Sequence, residues 1–224
     1  ATVDQVREWL PADLGGMAQG YRLAEALRLL HAPPAGCTEH SPAIAAARQR
    51  LAFEELLAHH LSLGRSRARM QTHQAPVLRI DPEAARRFEA SLPFALTGAQ
   101  QRVIAEIAAD LARPYPMMRL VQGDVGSGKT VVAAFAALTA LASQHQAAIM
   151  APTELLAEQH HRSFRQWLEP LGVVVAYLSG KAKGAARRET LDDLAAGRAG
   201  VIIGTHALFQ DQVVFHNLGL VIID

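Results

Sequence analysis

The sequence predicts an α/β fold in which an open parallel sheet with flanking helices follows a mainly helical region. From residue 92 onward, short apolar runs alternate with helical segments, the order that builds a parallel sheet from strand-helix-strand units. These runs are continuously apolar, which is typical of strands covered on both faces. Residues 1–91 show no convincing strand pattern and are rich in Ala, Leu, Arg and Glu, which favour helix. We therefore expect two regions that meet at residues 91 and 92.

The bulk composition excludes several classes of protein. The chain has 224 residues, of which 50% are hydrophobic and 19% charged, so it is long enough for a sizeable core. Its net charge of +1 gives no overall basic excess of the kind that indicates nucleic-acid binding. The single cysteine, Cys37, excludes an intramolecular disulfide, and the longest apolar stretch, residues 131–142, is too short to span a bilayer. We expect a cytoplasmic protein without a membrane partner.

Residues 1–91 are predicted to contain two helical segments. The first is MAQGYRLAEALRLLH at 17–31, and the second is PAIAAARQRLAFEELLAHHLSLGRSRARM at 42–70. The Pro-rich stretch HAPPAGCTEHSP at 31–42 lies between them and predicts a turn or linker, because proline removes a backbone donor and ends helices.

The second region contains five predicted strands and four predicted helices. The strands are residues 118–122, 147–151, 173–178, 200–204 and 220–224. The helices are residues 98–112, 129–143, 154–168 and 184–196. Ligands of open parallel sheets bind beyond the carboxyl ends of the strands, so the residues after each strand are the candidates for function.

The first predicted strand is followed by GDVGSGKT, which matches G-x-x-x-x-G-K-[ST] and opens a helix. Glycines allow successive backbone N–H groups to turn toward phosphate oxygens, the lysine brings positive charge to the β and γ phosphates, and the threonine hydroxyl ligates Mg²⁺. The residues expected to bind nucleotide are Gly123, Asp124, Val125, Gly126, Ser127, Gly128, Lys129 and Thr130. The alternative is a Gly-rich turn without a ligand. The sequence therefore predicts a nucleotide-phosphate site.

The remaining strand ends also carry polar residues. APTELLAEQ at 151–159 follows the second strand, and Thr153 there is suited to cap the next helix. GTHALFQ at 204–210 follows the fourth strand and offers Thr205 for contact with a phosphate backbone or for a simple turn. Asp224 ends the last apolar run, a common way for a buried strand to deliver a carboxylate to an active site.

Taken in order, these segments resemble the first motor domain of superfamily 2 helicases, and in particular the RecG family of DNA helicases. The matching segments are LVQGDVGSGKT, APTELLAEQ, LSGKAKGAAR, GTHALFQ and LVIID. Upstream, LPFALTGAQQRVIAEI resembles that family's nucleotide-recognition segment. LRLLHAPP and RQRLAFEELLAHHLSL resemble the helical stretch that connects its N-terminal DNA-binding wedge domain to the motor. The resemblance covers nearly the whole chain.

The resemblance implies a fold and a division into domains. Residues 1–91 would be the helical linker after the wedge domain, and residues 92–224 the first RecA-like ATP-binding domain, truncated at the metal-binding aspartate. In that fold a later strand lies between the phosphate-loop strand and the aspartate strand. We therefore expect an incomplete sheet here, and a 224-residue piece that is inactive and poorly folded or aggregating when isolated.

The resemblance also implies an ATP site with Mg²⁺ as cofactor. Lys129 and Asp224 would be the catalytic residues, and Thr130 and Asp224 would bind the metal. Gln100 would contact the adenine, although TGAQ at 97–100 equally fits a capping box in which Gln100 bonds only the backbone of Thr97. The family's water-activating glutamate would follow Asp224, and its arginine comes from a second motor domain.

DNA contacts are implied at the same strand ends. They would involve Thr153, Lys181, Lys183, Arg187, Arg188 and Thr205. Each threonine is equally good as a helix cap. The four basic residues, which lie in and just after the loop that follows the third predicted strand, equally fit solvated surface. The arginines of RSRAR at 65–69 are a weaker candidate, since they also suit a helix end. The adjacent pairs His59-His60 and His160-His161 point to different helix faces, which argues against a shared metal.

The implied function is ATP-dependent DNA helicase or translocase activity that drives branch migration and regression of stalled forks in recombination and repair. The expected partners are branched or forked DNA, including Holliday junctions and stalled replication forks, bound by a monomer in the bacterial cytoplasm at the nucleoid. Two alternatives stay open: another superfamily 2 DNA translocase of the transcription-repair coupling or primosomal type, or a non-catalytic nucleotide- or DNA-binding module.

Overall fold

The computed structural model describes residues 6–11, 20–180 and 184–224. The chain folds as two compact units, one ending at Met70 and the other beginning at Gln71. The predicted boundary at residue 91 differs from this division, because the helix Pro82–Ser91 buries Phe88 in the core of the second unit. The Phe88 ring meets the Phe135 ring edge-on, with 6.1 Å between centroids.

The first unit is built on two helices, α1 (Leu23–His31) and α2 (Pro42–Met70), which pack against each other. Its described residues contain no strand, as the sequence predicted. Arg50 of α2 is only 1% exposed and forms ion pairs with Glu8, at 2.8 Å, and with Glu54. Burial opposes the ionisation of Glu8, but the backbone N–H groups of Leu23 and Leu10, together with Arg50, lower its pKa overall.

The second unit contains five helices and a sheet among its described residues. The helices are α3 (Pro82–Ser91), α4 (Gly98–Leu111), α5 (Lys129–Ala142), α6 (Glu154–Leu168) and α7 (Gly184–Ala195). The strands are β1 (Gln146–Met150), β2 (Val175–Leu178), β3 (Val201–Gly204) and β4 (Leu218–Ile223). Two short 3-10 helices cover Glu169–Leu171 and His206–Phe209. The prediction of a parallel sheet with flanking helices is confirmed.

The sheet is wholly parallel, with strand order β2-β3-β1-β4. Along β1, Ala147 and Ile149 face one apolar cluster, formed with residues of α3 to α6. The intervening Ala148 faces a second cluster that includes Ile202 and Leu194 of α7. Because both faces are covered, the strands appear in the sequence as continuous apolar runs.

The predicted strand at residues 118–122 is wrong for this structure. Met118 and Leu120 are 76% and 86% exposed, and the segment forms no strand among the described residues. Arg119 holds it in place through ion pairs of 2.6 Å to both Glu106 and Asp110 of α4. A strand needs a neighbour for its hydrogen bonds, and β4 is the last strand of the described sheet on the β1 side.

No helix within the described ranges combines the length and the apolar composition that crossing a membrane requires. The apolar helix α5 instead lies in the core, with Ala134 and Ala137 fully buried.

Candidate functional site: the nucleotide-binding edge of the sheet

The predicted phosphate loop and three other predicted site residues, Thr153, Thr205 and Asp224, lie toward one edge of the sheet. Helix α5 is joined to β1 by residues 143–145, so the two run in opposite directions. The N-terminus of α5 therefore lies toward the carboxyl ends of the strands. Thr153, Thr205 and Asp224 each follow one of those ends, after β1, β3 and β4. In parallel sheets this is the edge at which ligands bind, so these residues remain the candidates for function.

The phosphate loop depends on two glycines with left-handed backbone. Gly126 has φ +81° and Gly128 has φ +80°, a backbone conformation that residues other than glycine rarely adopt. A Cβ atom at Gly128 would also overlap the side-chain nitrogen of Gln100. Gly128 leads into α5 without a side-chain cap, so the start of this helix is shaped as an anion site.

Lys129 reaches back across the loop. Its Nζ donates to the carbonyl oxygens of Gly123, at 2.7 Å, and Asp124, at 2.9 Å. An ammonium has three donors, so one donor remains beyond these two bonds. The lysine thus places its charge over the mouth of the loop, where phosphate oxygens would replace or share these carbonyl contacts.

Gln100 makes both of the bonds that define a capping box. Its Oε1 accepts from the Thr97 backbone N–H at 2.8 Å, and its own backbone N–H donates to Thr97 Oγ1 at 3.2 Å. At the same time its Nε2 donates to the carbonyl of Ser127 at 2.9 Å. The capping alternative is therefore present, together with an added bond, absent from the sequence-based expectations, that ties α4 to the phosphate loop. The adenine contact stays a prediction.

Asp224, which follows the last residue of β4, is held at two points. Its backbone N–H donates to the carbonyl of Met150 at 2.9 Å. Its carboxylate Oδ2 lies 2.8 Å from Nε2 of His160 in α6. His160 was not among the predicted site residues, because nothing in the sequence connects two residues that are 64 positions apart.

The neighbouring His161 has a different environment. Its ring stacks on Tyr177 with 5.1 Å between centroids, and its Nε2 lies 3.3 Å from the carbonyl of Val175. Burial lowers its pKa by disfavouring the charged form. The two histidines therefore point to separate partners, and no cluster of three or more His, Cys, Asp or Glu suited to a metal occurs in the part of the chain that the structure describes.

The residues predicted to bind Mg²⁺ fit a hard cation in chemical type. Thr130 offers a hydroxyl and Asp224 a carboxylate, both oxygen ligands of the kind Mg²⁺ prefers. The second oxygen of Asp224 is not used in the bond to His160. Magnesium in nucleotide sites takes one or two protein ligands and completes its shell with phosphates and water, so two protein oxygens at this edge suffice.

The two threonines predicted to contact DNA differ in whether they cap a helix. Thr153 caps α6 by accepting from the Leu156 N–H at 3.3 Å. Thr205 is 3% exposed and makes no capping side-chain bond to the 3-10 helix that follows it. Both remain predicted DNA contacts.

Two of the four basic residues predicted to contact DNA, Lys181 and Lys183, lie outside the described residues. Arg187 in α7 donates to Oε1 of Gln210 at 2.7 Å, and Arg188 is exposed. This bond joins two of the segments in which DNA contacts are predicted, since Gln210 ends GTHALFQ.

Known helicases are similar to this chain in sequence and in structure. The sequence model of the DEAD/DEAH box helicase family matches residues 97–224. "ATP-dependent DNA helicase RecG" of Acidithiobacillus ferridurans is 54% identical over 224 residues, covering 99% of this chain and 32% of that protein. The RecG helicases of Haemophilus influenzae and Bacillus subtilis are 50% and 44% identical, again with 32% of each covered.

A solved structure, RecG bound to a three-way DNA junction, superposes with a TM-score of 0.82 at 37% identity. The superposition covers 98% of this chain and 29% of that one. This chain therefore spans about a third of the length of the relatives and of the solved structure that it matches.

Proposed function

This chain belongs to the DEAD/DEAH box helicase family, and we propose that the protein carrying it is an ATP-dependent DNA helicase of the RecG type. It would use ATP hydrolysis to drive branch migration and to regress stalled forks in recombination and repair. The whole activity is a proposal, because the chain covers 32% of the RecG proteins it resembles.

The observation that carries the proposal is the phosphate loop at the carboxyl edge of a parallel sheet. The left-handed turns at Gly126 and Gly128 open α5 as an anion site, and Lys129 lies across its mouth. We assign the nucleotide phosphates to this loop and the adenine to Gln100. Thr130 and Asp224 would hold Mg²⁺, which supplies positive charge to the β and γ phosphates when bound.

We propose that DNA lies along the same edge of the sheet. Thr153 and Thr205 follow neighbouring strands β1 and β3, and Arg187 and Arg188 lie near the start of α7, the helix that precedes β3. Lys181 and Lys183 belong to the same segment of the sequence. Hydroxyl and guanidinium groups suit phosphate oxygens, so the grip would be independent of base sequence. Branched DNA is the proposed substrate, supported by the likeness to a RecG structure on a three-way junction.

The arrangement of domains is also proposed from the resemblance. Residues 1–91 would link a DNA-binding wedge domain to the motor, and residues 92–224 would form the first RecA-like motor domain. In the full-length protein we propose a monomer that works in the bacterial cytoplasm at the nucleoid.

The test is ATP hydrolysis by the full-length protein with no nucleic acid, with forked DNA, with linear duplex and with RNA. The proposal predicts the largest stimulation with forked DNA. Stimulation by RNA and not by forked DNA would overturn the substrate, and a protein that binds nucleotide but never hydrolyses it would be a non-catalytic module.

A further inference from the structure

The bond between His160 and Asp224 joins two parts of the site that the sequence keeps far apart. His160 is 15% exposed and Asp224 is 44% exposed at the side chain, so the contact is partly shielded from water. An ionised carboxylate can only accept hydrogen bonds, which makes the histidine Nε2–H the donor. The 2.8 Å distance is that of a well-formed bond.

Helix α6 fixes where His160 stands. Phe164 and Leu168 follow one and two turns later on the same side of the helix, and both are fully buried in the core. Thr153 caps its first turn, and Thr153 and His160 are seven residues apart, about 10 Å along a helix. The start of α6, which we assign to DNA, is therefore rigidly connected to the side chain that bonds Asp224.

We propose that His160 is a positioning residue that orients the Asp224 carboxylate and couples it to the DNA-facing start of α6. This inference rests on the proposed function, since it assigns a metal to Asp224 and DNA to Thr153. The bond occupies Oδ2 and leaves Oδ1 for the cation. A partner that orients a ligating group in this way is commonly worth about 10–100-fold in metal affinity or activity.

The same bond would couple the affinity for DNA to the affinity for Mg-nucleotide. If DNA at the start of α6 shifts the helix, the carboxylate moves with it, and the affinity for Mg-nucleotide changes. Linkage requires that Mg-nucleotide then changes the affinity for DNA by the same factor. Removal of the bond should reduce this factor toward one.

The experiment compares four variants of the full-length protein. His160→Ala removes the donor, His160→Gln keeps an amide N–H with similar reach, and His160→Asn carries the same amide one methylene shorter. His161→Gln is the matched control, because His161 is adjacent on α6 and contacts Tyr177 and Val175 instead of Asp224.

Two equilibrium measurements are made. One is the Mg²⁺ concentration for half-maximal binding of a fluorescent, non-hydrolysable ATP analogue. The other is the anisotropy-based affinity for forked DNA with and without Mg²⁺ and that analogue. We expect His160→Ala and His160→Asn to raise the Mg²⁺ requirement about 10-fold or more and to lose the coupling to DNA. His160→Gln and His161→Gln should stay near wild type.

Wild-type values for His160→Ala in both measurements would overturn the inference alone, provided that the wild-type protein hydrolyses ATP with forked DNA. Equal defects in His160→Gln and His160→Asn would also overturn it, because the role would then be packing and not a bond to Asp224. If His160→Ala does not fold, the comparison of Gln with Asn decides. A wild-type protein that fails to bind Mg-nucleotide would overturn the proposed function itself.

Discussion

The side-chain nitrogen of Gln100 donates to the backbone carbonyl of Ser127 at 2.9 Å, so a hydrogen bond connects helix α4 to the phosphate loop. The same side chain accepts from the N–H of Thr97 at the start of α4. One residue therefore caps a helix and positions the loop. Replacement of Gln100 should therefore affect both the start of α4 and the phosphate loop.

Gln100→Ala should lower stability by about 1 kcal/mol, because a cap and a loop bond are lost together. It should also weaken nucleotide binding. If Gln100 contacts adenine, the loss should be larger for ATP than for GTP, so the preference for ATP falls. Equilibrium binding of both nucleotides to the full-length variant checks this. Equal losses for ATP and GTP would contradict the adenine contact and leave loop support as the whole role.

Gly128→Ala should abolish nucleotide binding. The left-handed backbone costs alanine about 1–2 kcal/mol, and the added Cβ would overlap the Gln100 amide and break its bond to the Ser127 carbonyl in the loop. Gly172→Ala is the control, because Gly172 has φ +81° with nothing within 4 Å of the added Cβ. Both variants should lose similar stability from the backbone. Only Gly128→Ala should fail to bind a fluorescent ATP analogue, and retained binding would refute the loop geometry.

Arg50→Met should destabilise the first unit by about 3 kcal/mol, since it leaves the carboxylates of Glu8 and Glu54 without their buried partner. Arg48→Met is the control on the same helix, where the Arg48–Glu39 pair is 3.0 Å long and exposed, and it should cost less than about 1 kcal/mol. Thermal unfolding of the full-length variants gives the comparison. Equal melting temperatures would show that the buried cluster contributes no net stability.

Arg188→Ala should weaken DNA binding by a similar factor for all sequences and reduce the salt dependence of the affinity by about one phosphate contact. Arg86→Ala, at an exposed arginine of α3, should leave both quantities unchanged. The measurement is fluorescence anisotropy with forked DNA at several salt concentrations. An unchanged salt slope for Arg188→Ala would place this arginine on solvated surface.

The elements that the sequence predicted well are those whose signal is local. Helix α6 has its predicted bounds, Glu154–Leu168, because Thr153 caps its start and apolar spacing continues to its end. Strands β1 and β3 lie within one residue of their apolar runs, since burial on both faces leaves little ambiguity. The parallel sheet followed from their alternation with helices.

The failures concern features that depend on a distant partner. Residues 118–122 have the apolarity of a strand but no ladder partner among the described residues, and Leu120 is 86% exposed. The bond from His160 to Asp224 exists only because α6 and β4 meet in the fold. The sequence around Gln100 predicts a cap or a ligand, whereas the structure gives this residue a further role at Ser127.

The most direct measurement of the central claim is ATP hydrolysis with forked DNA by the full-length protein and its Lys129→Ala variant, with DNA affinity measured in parallel. Lys129 lies across the phosphate loop, so its removal should abolish hydrolysis while most of the DNA affinity remains. Fork-stimulated hydrolysis in the wild type and none in Lys129→Ala is the predicted result. Undiminished hydrolysis by Lys129→Ala, or no stimulation of the wild type by forked DNA, would contradict the proposed function.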